Sequence, residues 1–414
     1  MQKCTDASAR ATRTCWTELE NLIRERVQTM VQDLLEAEVQ ELLGRTKSQR
    51  RAGVDAPEGY RNGLGRPRRL TTTCGTITVR RPRVRGLQER FESRILPHFV
   101  TRTRRSELLL PELYLHGLSM GDFDLALRGL LGDEAPLSPS TLARLKASWQ
   151  VEFDEWRRRD LSDLDLVYLW ADGIYLRAGL EKEKAALLVL VGGLSDGQKV
   201  VLAVQAGHRE SVESWSALLR DLQARGLRPP KLVIADGHLG LWGGLANIYP
   251  RADEQRCWNH RIVNVMDKLP KKAQKEALLM LKKIPYAQTR REAERRRNIF
   301  QAWCRKHGHE EAAAVMDRDW ERMVAFYRYP EDHWVHLRTT NIIESPFAAV
   351  RLRTNAAKRF KKTANGTALV WKLLMVAERR FRRLKGAHLL PGVLAGDVYI
   401  DGIKQEAQLD KVPA

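Results

Sequence analysis

Val167-Tyr168-Leu169-Trp170-Ala171-Asp172-Gly173 is an apolar run that closes on a carboxylate, and Leu232-Val233-Ile234-Ala235-Asp236-Gly237 repeats the pattern further along the chain. Both runs are rich in β-branched and aromatic residues and read as strands. A carboxylate beside buried strands is costly unless a cation meets it. A third acid, Glu344, lies in Arg338-Thr339-Thr340-Asn341-Ile342-Ile343-Glu344-Ser345, which opens a basic helical stretch. Three acids converging from separate elements make a cage for divalent metal, and phosphodiester chemistry needs such a metal.

The elements around these runs have a definite order. Strand patterns cover 165–171, continuing to about 178, then Ala185-Ala186-Leu187-Leu188-Val189-Leu190-Val191 and Val200-Val201-Leu202-Ala203-Val204. A helix follows over 212–225 with Trp215, Leu218, Leu219 and Leu222 on its apolar face. Next come strand 231–235, a Gly-rich helix at 237–247, a short strand near 253–257 and a helix from 258. Three strands on short links predict an antiparallel meander, and the later αβ units predict added parallel strands. The order βββαβαβα is that of a ribonuclease H-like fold, an α/β core with a mixed five-stranded sheet. Residues 271–335 interrupt it with a helical pattern dense in Lys, Arg, Glu and Ala, read as an all-helical insertion with Pro330 and Pro346 on its far side.

In that fold the first strand is central and the fourth lies beside it. Asp172 and Asp236 are then neighbours, and two like charges so close repel unless a cation sits between them. Glu344 comes from a helix laid across the same edge. Ile343, Phe347 and Val350, at i, i+4 and i+7, give that helix a core stripe. Glu344 lies about 100° round from Ile343, at the stripe's margin.

Composition narrows the partner. The chain has 414 residues, a net charge of +20 and a pI of about 9.9. Such a balance favours a polyanion, and no apolar run approaches the roughly 20 residues of a membrane span. The opening Met1-Gln2-Lys3-Cys4-Thr5-Asp6 lacks the apolar core of a secretory signal. Double-stranded DNA is the expected partner. Five irregularly placed cysteines make no disulfide framework, which fits a reducing cytoplasm, with the protein associated with the nucleoid. Residues 351–385 hold twelve Lys or Arg and one acid, Glu378, for a net +11. Beside a metal site such a helix is where a DNA backbone would lie.

Seven segments follow. Residues 1–60 hold an amphipathic helix over 16–44, with Gly44 as its cap and an apolar stripe suited to a homodimer on DNA, and a basic loop. Residues 61–105 read as a basic arm with a short strand pair, Thr71 to Cys74 and Thr76 to Val79; 45–69 read as mobile. Residues 106–160 resemble a helix-turn-helix, its third helix capped by Ser138-Pro139. The core occupies 161–270 and 336–390, with the 271–335 insertion between, and 391–414 form a tail. Expected DNA contacts are Arg61, Arg83 and Arg144 in the arm and the third helix, and Arg351, Arg353, Lys358, Arg359, Lys361 and Lys362 for phosphates.

Ala235-Asp236-Gly237, Arg256-Cys257-Trp258-Asn259-His260 and the Arg338–Ser345 string resemble the Mutator-type transposases of bacterial insertion sequences. Arg61-Asn62-Gly63, Gly75-Thr76-Ile77-Thr78-Val79 and Pro82-Arg83 resemble that family too. The resemblance spans roughly residues 20–385, and departs mildly at His238 and Trp242. It implies a DDE transposase that binds terminal inverted repeats and target DNA and performs strand cleavage and strand transfer. Asp172, Asp236 and Glu344 would be catalytic and hold two Mg2+ ions, with Mn2+ as substitute. Cys257 and His260, with Arg338 and Asn341, would back the carboxylates or position DNA. Cys257-x-x-His260 also has the spacing of half a zinc site, and Cys304-x-x-His307 supplies a second half, though in a segment without a family motif. Two other classes are a non-catalytic DNA-binding derivative, which would show a damaged triad, and another ribonuclease H-like nuclease, against which the insertion and the Arg-Thr-Thr-Asn string argue.

Overall fold

The computed structural model describes residues 4–97, 100, 103, 139–178, 185–207, 210–237, 239–356, 360 and 362–406, with backbone alone at 4–17, 139–143, 145 and 356. The chain divides into two compact units, Met1–Ala143 and Arg144–Ala414. This division falls inside the 106–160 segment, whose first two expected helices lie outside the described residues.

In the first unit a helix runs Cys4–Leu43 and ends at Gly44, whose φ of 62° is the left-handed cap expected of it. The arm is more ordered than its composition suggests. Strands β1 (Tyr60–Thr72) and β2 (Gly75–Arg85) pair antiparallel over their whole length, with register shifts around Leu64 and Pro67. Proline donates no ladder hydrogen bond, and the two shifts flank Leu64, whose partner is Pro82, with Pro67 ending the second. The helix lays Leu35 against Leu70, Ile77, Val79 and Leu96, with Val27 and Val31 packed alongside. Its glutamines occupy the outer edge of β2: the Arg80 N–H donates to Gln32 Oε1 at 2.9 Å, Gln32 Nε2 donates to the Arg80 carbonyl at 2.9 Å, and the Thr78 N–H donates to Gln28 Oε1 at 3.0 Å. Free strand edge groups are thus satisfied by side chains.

The second unit is built on a five-stranded sheet of order β5-β4-β3-β6-β7. Its strands are β3 (Leu166–Leu176), β4 (Ala185–Leu194), β5 (Lys199–Gly207), β6 (Leu232–Ala235) and β7 (Asp253–Arg256). β3 to β5 form the antiparallel meander, and β6 and β7 add parallel. Side chains alternate between faces with period two. Leu169, Ala171, Val233 and Ala235 join the core under the Val212–Ala224 and Leu239–Ile248 helices. Tyr168 and Trp170 therefore point to the other face, where Tyr168 hydrogen-bonds His333 at 2.7 Å and the Trp170 indole donates to the His336 carbonyl at 3.1 Å.

The segment between β7 and residue 335 is helical, as expected, with helices including Lys271–Leu281, Arg290–Lys306 and Glu310–Asp317. It is tied to the sheet through buried Gln255, which donates to the Met323 carbonyl at 3.1 Å and accepts the Phe326 N–H at 2.9 Å. Pro346 lies inside the Asn341–Ala356 helix rather than bounding the insertion. The basic stretch is not one solvated helix. Its described residues form two helices, Asn341–Ala356 and the largely buried Thr363–Glu378, which packs beside β5. Trp371 of that helix meets Phe153 and Trp156 of the Pro139–Trp156 helix at 5.6 and 5.7 Å. The tail is folded as far as 406: the Gly402 N–H donates to the Tyr327 carbonyl at 3.1 Å, and Asp401 accepts the Arg290 N–H at 2.7 Å. Among the described residues, no helix is long and apolar enough to cross a membrane.

Candidate active site

Strand register brings the first two acids together. Tyr168, Leu169 and Trp170 pair with Leu232, Val233 and Ile234. Two residues beyond Trp170 stands Asp172, and two beyond Ile234 stands Asp236. By parity both share the face of Tyr168 and Trp170. β6 stops at Ala235 while β3 runs on to Leu176, so Asp172 sits within its strand, at the level where the neighbouring strand has ended. On that same face lies the Asn341–Ala356 helix. Its stripe is buried as the spacing requires, with Ile343 and Phe347 0% and Val350 1% exposed. Glu344, next to that stripe, is half-buried.

The proximity has electrostatic consequences. Asp172 is half-buried, and its carboxyl is pushed up to about 7, first by desolvation, with the Asp236 and Glu344 charges adding to the rise. The Gly173 N–H, donating at 2.8 Å, and the His260 charge oppose it. His260 goes the other way: the Cys257 thiol beside it, with Glu344 and Asp236, raises the imidazole to about 9 against the effect of burial. A cationic His260 thus stands among the acids near neutral pH.

A tighter group forms on one side. Ligand atoms of Cys257, His260 and Glu344 all lie within 4.8 Å of one another, and His260 Nδ1 is 3.8 Å from Glu344 Oε1. Cys257 is held by its own N–H donating to the Ala235 carbonyl at 2.7 Å, which carries the β6 pairing one residue past β7. It is the N-cap of the Trp258–Met266 helix, and that geometry places His260 in the first turn. Thr340 ties the group together. Fully buried, it donates its hydroxyl to the Glu344 carboxylate, with Oγ1 3.2 Å from Cys257 Sγ, and its N–H donates to the same sulfur at 3.4 Å.

Arg338 and Asn341 position this group from the side. The Arg338 carbonyl accepts the Trp258 N–H at 2.9 Å. Its guanidinium lies over Tyr286, Phe326 and Trp334 at 4.7, 5.3 and 5.4 Å. Asn341 Oδ1 accepts from Asn259 Nδ2 at 3.0 Å. A cavity of about 430 Å³, lined in part by Asn259, Tyr286, Arg338 and Thr339, opens alongside. Behind Asp236, Arg256 Nε donates to the Asp236 carbonyl at 3.1 Å and Nη1 to Asp319 at 2.7 Å. Gly237 has φ +108°, and a Cβ there would stand 2.0 Å from Arg256 Nε.

Sequence reading missed Thr340, Arg256 and Glu210. Thr340 stands four residues before Glu344, one helical turn, and inside the Arg338–Ser345 string, and both were signals of a role beside Glu344. Glu210 is buried beside the Tyr175 phenol, whose pKa burial and Glu210 raise, with Asp236 and Asp172 adding to the shift. A Cβ on Gly173 would meet its Oε1 at 2.1 Å, so glycine is what admits this fourth acid.

The expected DNA-contacting residues are scattered. Arg83, Arg144, Arg351 and Lys362 are exposed. Arg61 is half-buried, and its guanidinium donates to the Arg45 and Thr46 carbonyls at 3.0 and 3.2 Å. Arg353 is 3% exposed, which takes it off any surface offered to phosphate. Lys358, Arg359, Lys361 and His238 lie outside the described residues. Cys304 is buried in the insertion, and neither it nor His307 joins the Cys257 group, so a Cys2His2 zinc site is not assembled among the described residues.

Comparison with known proteins agrees with the motifs. A transposase of insertion sequence element IS6120 from Mycolicibacterium smegmatis is 45% identical over 305 residues, covering 74% of this chain and 94% of that protein. One for IST2 from Acidithiobacillus ferrooxidans is 39% identical over 281 residues, covering 67% and 94%. Among solved structures, the Drosophila P element transposase strand transfer complex is similar over 72% of this chain and 83% of its own, at 13% identity and a TM-score of 0.31. The family model for transposases of the Mutator family matches residues 1–383, and the chain belongs to that family.

Proposed function

We propose that the protein is a DDE transposase that binds the terminal inverted repeats of its insertion sequence and carries out Mg2+-dependent cleavage and strand transfer of DNA. The observation that carries this reading is the convergence of Asp172, Asp236 and Glu344 on one face, at the level where β6 ends. Three acids around one point, with Asp172 raised first by burial and further by the other two charges, suit an all-oxygen divalent site. Asp172, Asp236 and Glu344 would hold two Mg2+ ions, or Mn2+, which when bound activate water or a DNA 3′-OH and stabilise the leaving 3′ oxygen. Thr340 orients the Glu344 carboxylate, and Arg256 fixes the backbone at Asp236. His260 sets a positive charge beside the acids, available to a phosphate oxygen as DNA enters. Arg351, Lys362 and the undescribed Lys358, Arg359 and Lys361 would hold phosphates, while Arg83 and Arg144 would contact element ends.

A homodimer on DNA is part of the proposal. Leu19, Leu22, Ile23, Met30, Leu34 and Leu42 are exposed on the first helix, beyond the face used against the hairpin. Two element ends must be held together for coordinated joining, and this row suits a second copy. The setting would be a bacterial cytoplasm, on the nucleoid.

Replacing Asp172, Asp236 or Glu344 by Ala should lower cleavage and joining of an element-end duplex by orders of magnitude while leaving gel-shift binding of that end largely intact. Wild-type rates in Glu344→Ala would sink the assignment.

A further inference from the structure

The tight group on one side of the acids differs in chemistry from the acids themselves. Cys257 offers sulfur, His260 nitrogen and Glu344 oxygen, all within 4.8 Å of one another. Asp172 and Asp236, by contrast, bring oxygen only. Hard Mg2+ has little use for thiolate or imidazole, whereas Zn2+ takes all three donor types. Tetrahedral zinc with bonds of about 2.0–2.3 Å sets its ligand atoms roughly 3.4–3.6 Å apart. The His260 Nδ1 to Glu344 Oε1 separation of 3.8 Å needs a closure of only a few tenths of an ångström.

Three further features favour a metal there. His260 Nδ1 is buried and has no hydrogen-bond partner, although it faces the carboxylate. Cys257 and Thr340 are fixed by backbone hydrogen bonds from different elements, so the sulfur and the Thr340 hydroxyl are preset. The His260 and Glu344 side chains are 37% and 30% exposed, which leaves an approach from solvent and an open fourth position.

We propose that Cys257, His260 and Glu344 form a soft-metal site, selective for Zn2+, that competes with the oxygen site for Glu344. The ion binds through the sulfur, the imidazole nitrogen and one carboxylate oxygen, and the thiol and imidazole protons pass to solvent. Ligation on this side draws the Glu344 carboxylate toward the sulfur and nitrogen donors and away from the oxygen site. Zinc is therefore an inhibitor of Mg2+-supported strand transfer. The inhibition rests on the proposed function above; the site itself does not.

Co2+ is the probe, because a thiolate ligand gives it a charge-transfer absorption that oxygen ligands do not. The full-length reduced protein should take one Co2+ per chain with that absorption. Stoichiometric Zn2+ should displace it, and a thousandfold excess of Mg2+ should not. Cys257→Ser should lose the absorption and Cys304→Ser should keep it. If Cys257→Ser fails to fold by circular dichroism, His260→Ala decides, with at least tenfold weaker Co2+ binding expected. Absorption that is missing in folded wild-type protein, that persists in Cys257→Ser, or that is lost in Cys304→Ser overturns the site, as does unchanged affinity in His260→Ala. Mg2+-dependent cleavage without the cobalt signature defeats this inference alone. The signature in a protein that never cleaves DNA defeats the functional reading alone.

Discussion

Gly237 shows how much of the candidate site depends on single positions. Its φ of +108° lies where L side chains are strained, and a Cβ would meet Arg256 Nε at 2.0 Å. Arg256 is committed to the Asp236 carbonyl and to Asp319, and Asp319 also accepts from buried Arg261 at 3.3 Å. Gly237→Ala should therefore strain the backbone beside Asp236 and push Arg256 off its partners. A loss of about 1–3 kcal/mol is expected, read as a lower chemical-denaturation midpoint. An unchanged midpoint would mean Arg256 swings aside freely. Arg353 teaches the opposite lesson about charge. It sits in the most basic window of the chain, yet it is 3% exposed and belongs to the packing of its helix. Charge runs report composition and leave open which member faces water.

At the scale of elements, the first helix separates two jobs that its apolar stripe runs together. Leu35 is fully buried against the hairpin, while Leu34 and Leu42 are 42% and 39% exposed. Leu34→Glu with Leu42→Glu should reduce paired-end complexes in a gel shift more than single-end binding. Leu35→Glu should instead unfold the first unit, because it buries a charge among Leu70, Ile77 and Val79. Equal loss of both complexes in the Leu34/Leu42 variant would assign that face to folding. The segment joining the insertion to the Glu344 helix carries a pH dependence. His336 Nε2 accepts the Lys385 N–H at 2.8 Å, which requires the neutral ring, and burial first, then Lys199, His333 and Lys385, lowers its pKa to about 4. From pH 6.5 down to about 4 the unfolded chain holds more protons at this group than the folded one. Its contribution to stability is thus full above about 6.5 and is lost as pH falls through 4. The melting temperature should drop over that window, and His336→Gln, which keeps an acceptor without titrating, should flatten part of the drop. An identical pH profile in the variant would exclude His336 as a source.

For the whole molecule, the net charge of +20 is the dominant long-range property. Phosphate contacts release counterions, so DNA binding should weaken steeply with salt. Neutralising Lys358, Arg359, Lys361 and Lys362 together should flatten the salt slope by up to about four, equally for element and random DNA. Arg144→Ala, on an exposed position of the Pro139–Trp156 helix, should instead reduce preference for the element's ends. A change of sequence preference in the fourfold variant, with its salt slope untouched, would reverse that division.

Local periodicity made the sheet and the acids at its edge legible. Strand period is local, so Val167–Asp172 and Leu232–Asp236 could be read one residue at a time, and parity then put both carboxylates on one face. The Ile343, Phe347, Val350 spacing oriented Glu344 for the same reason. The hairpin was legible only near its turn; its full length, with Leu70, Ile77 and Val79 buried and an edge closed by glutamines some 50 residues away in sequence, came from the fold. The tertiary structure alone joined Thr340 to Cys257 across 83 positions, brought Glu210 against Gly173, and buried Arg353. Such contacts depend on which elements meet, and periodicity within an element carries no record of its partners.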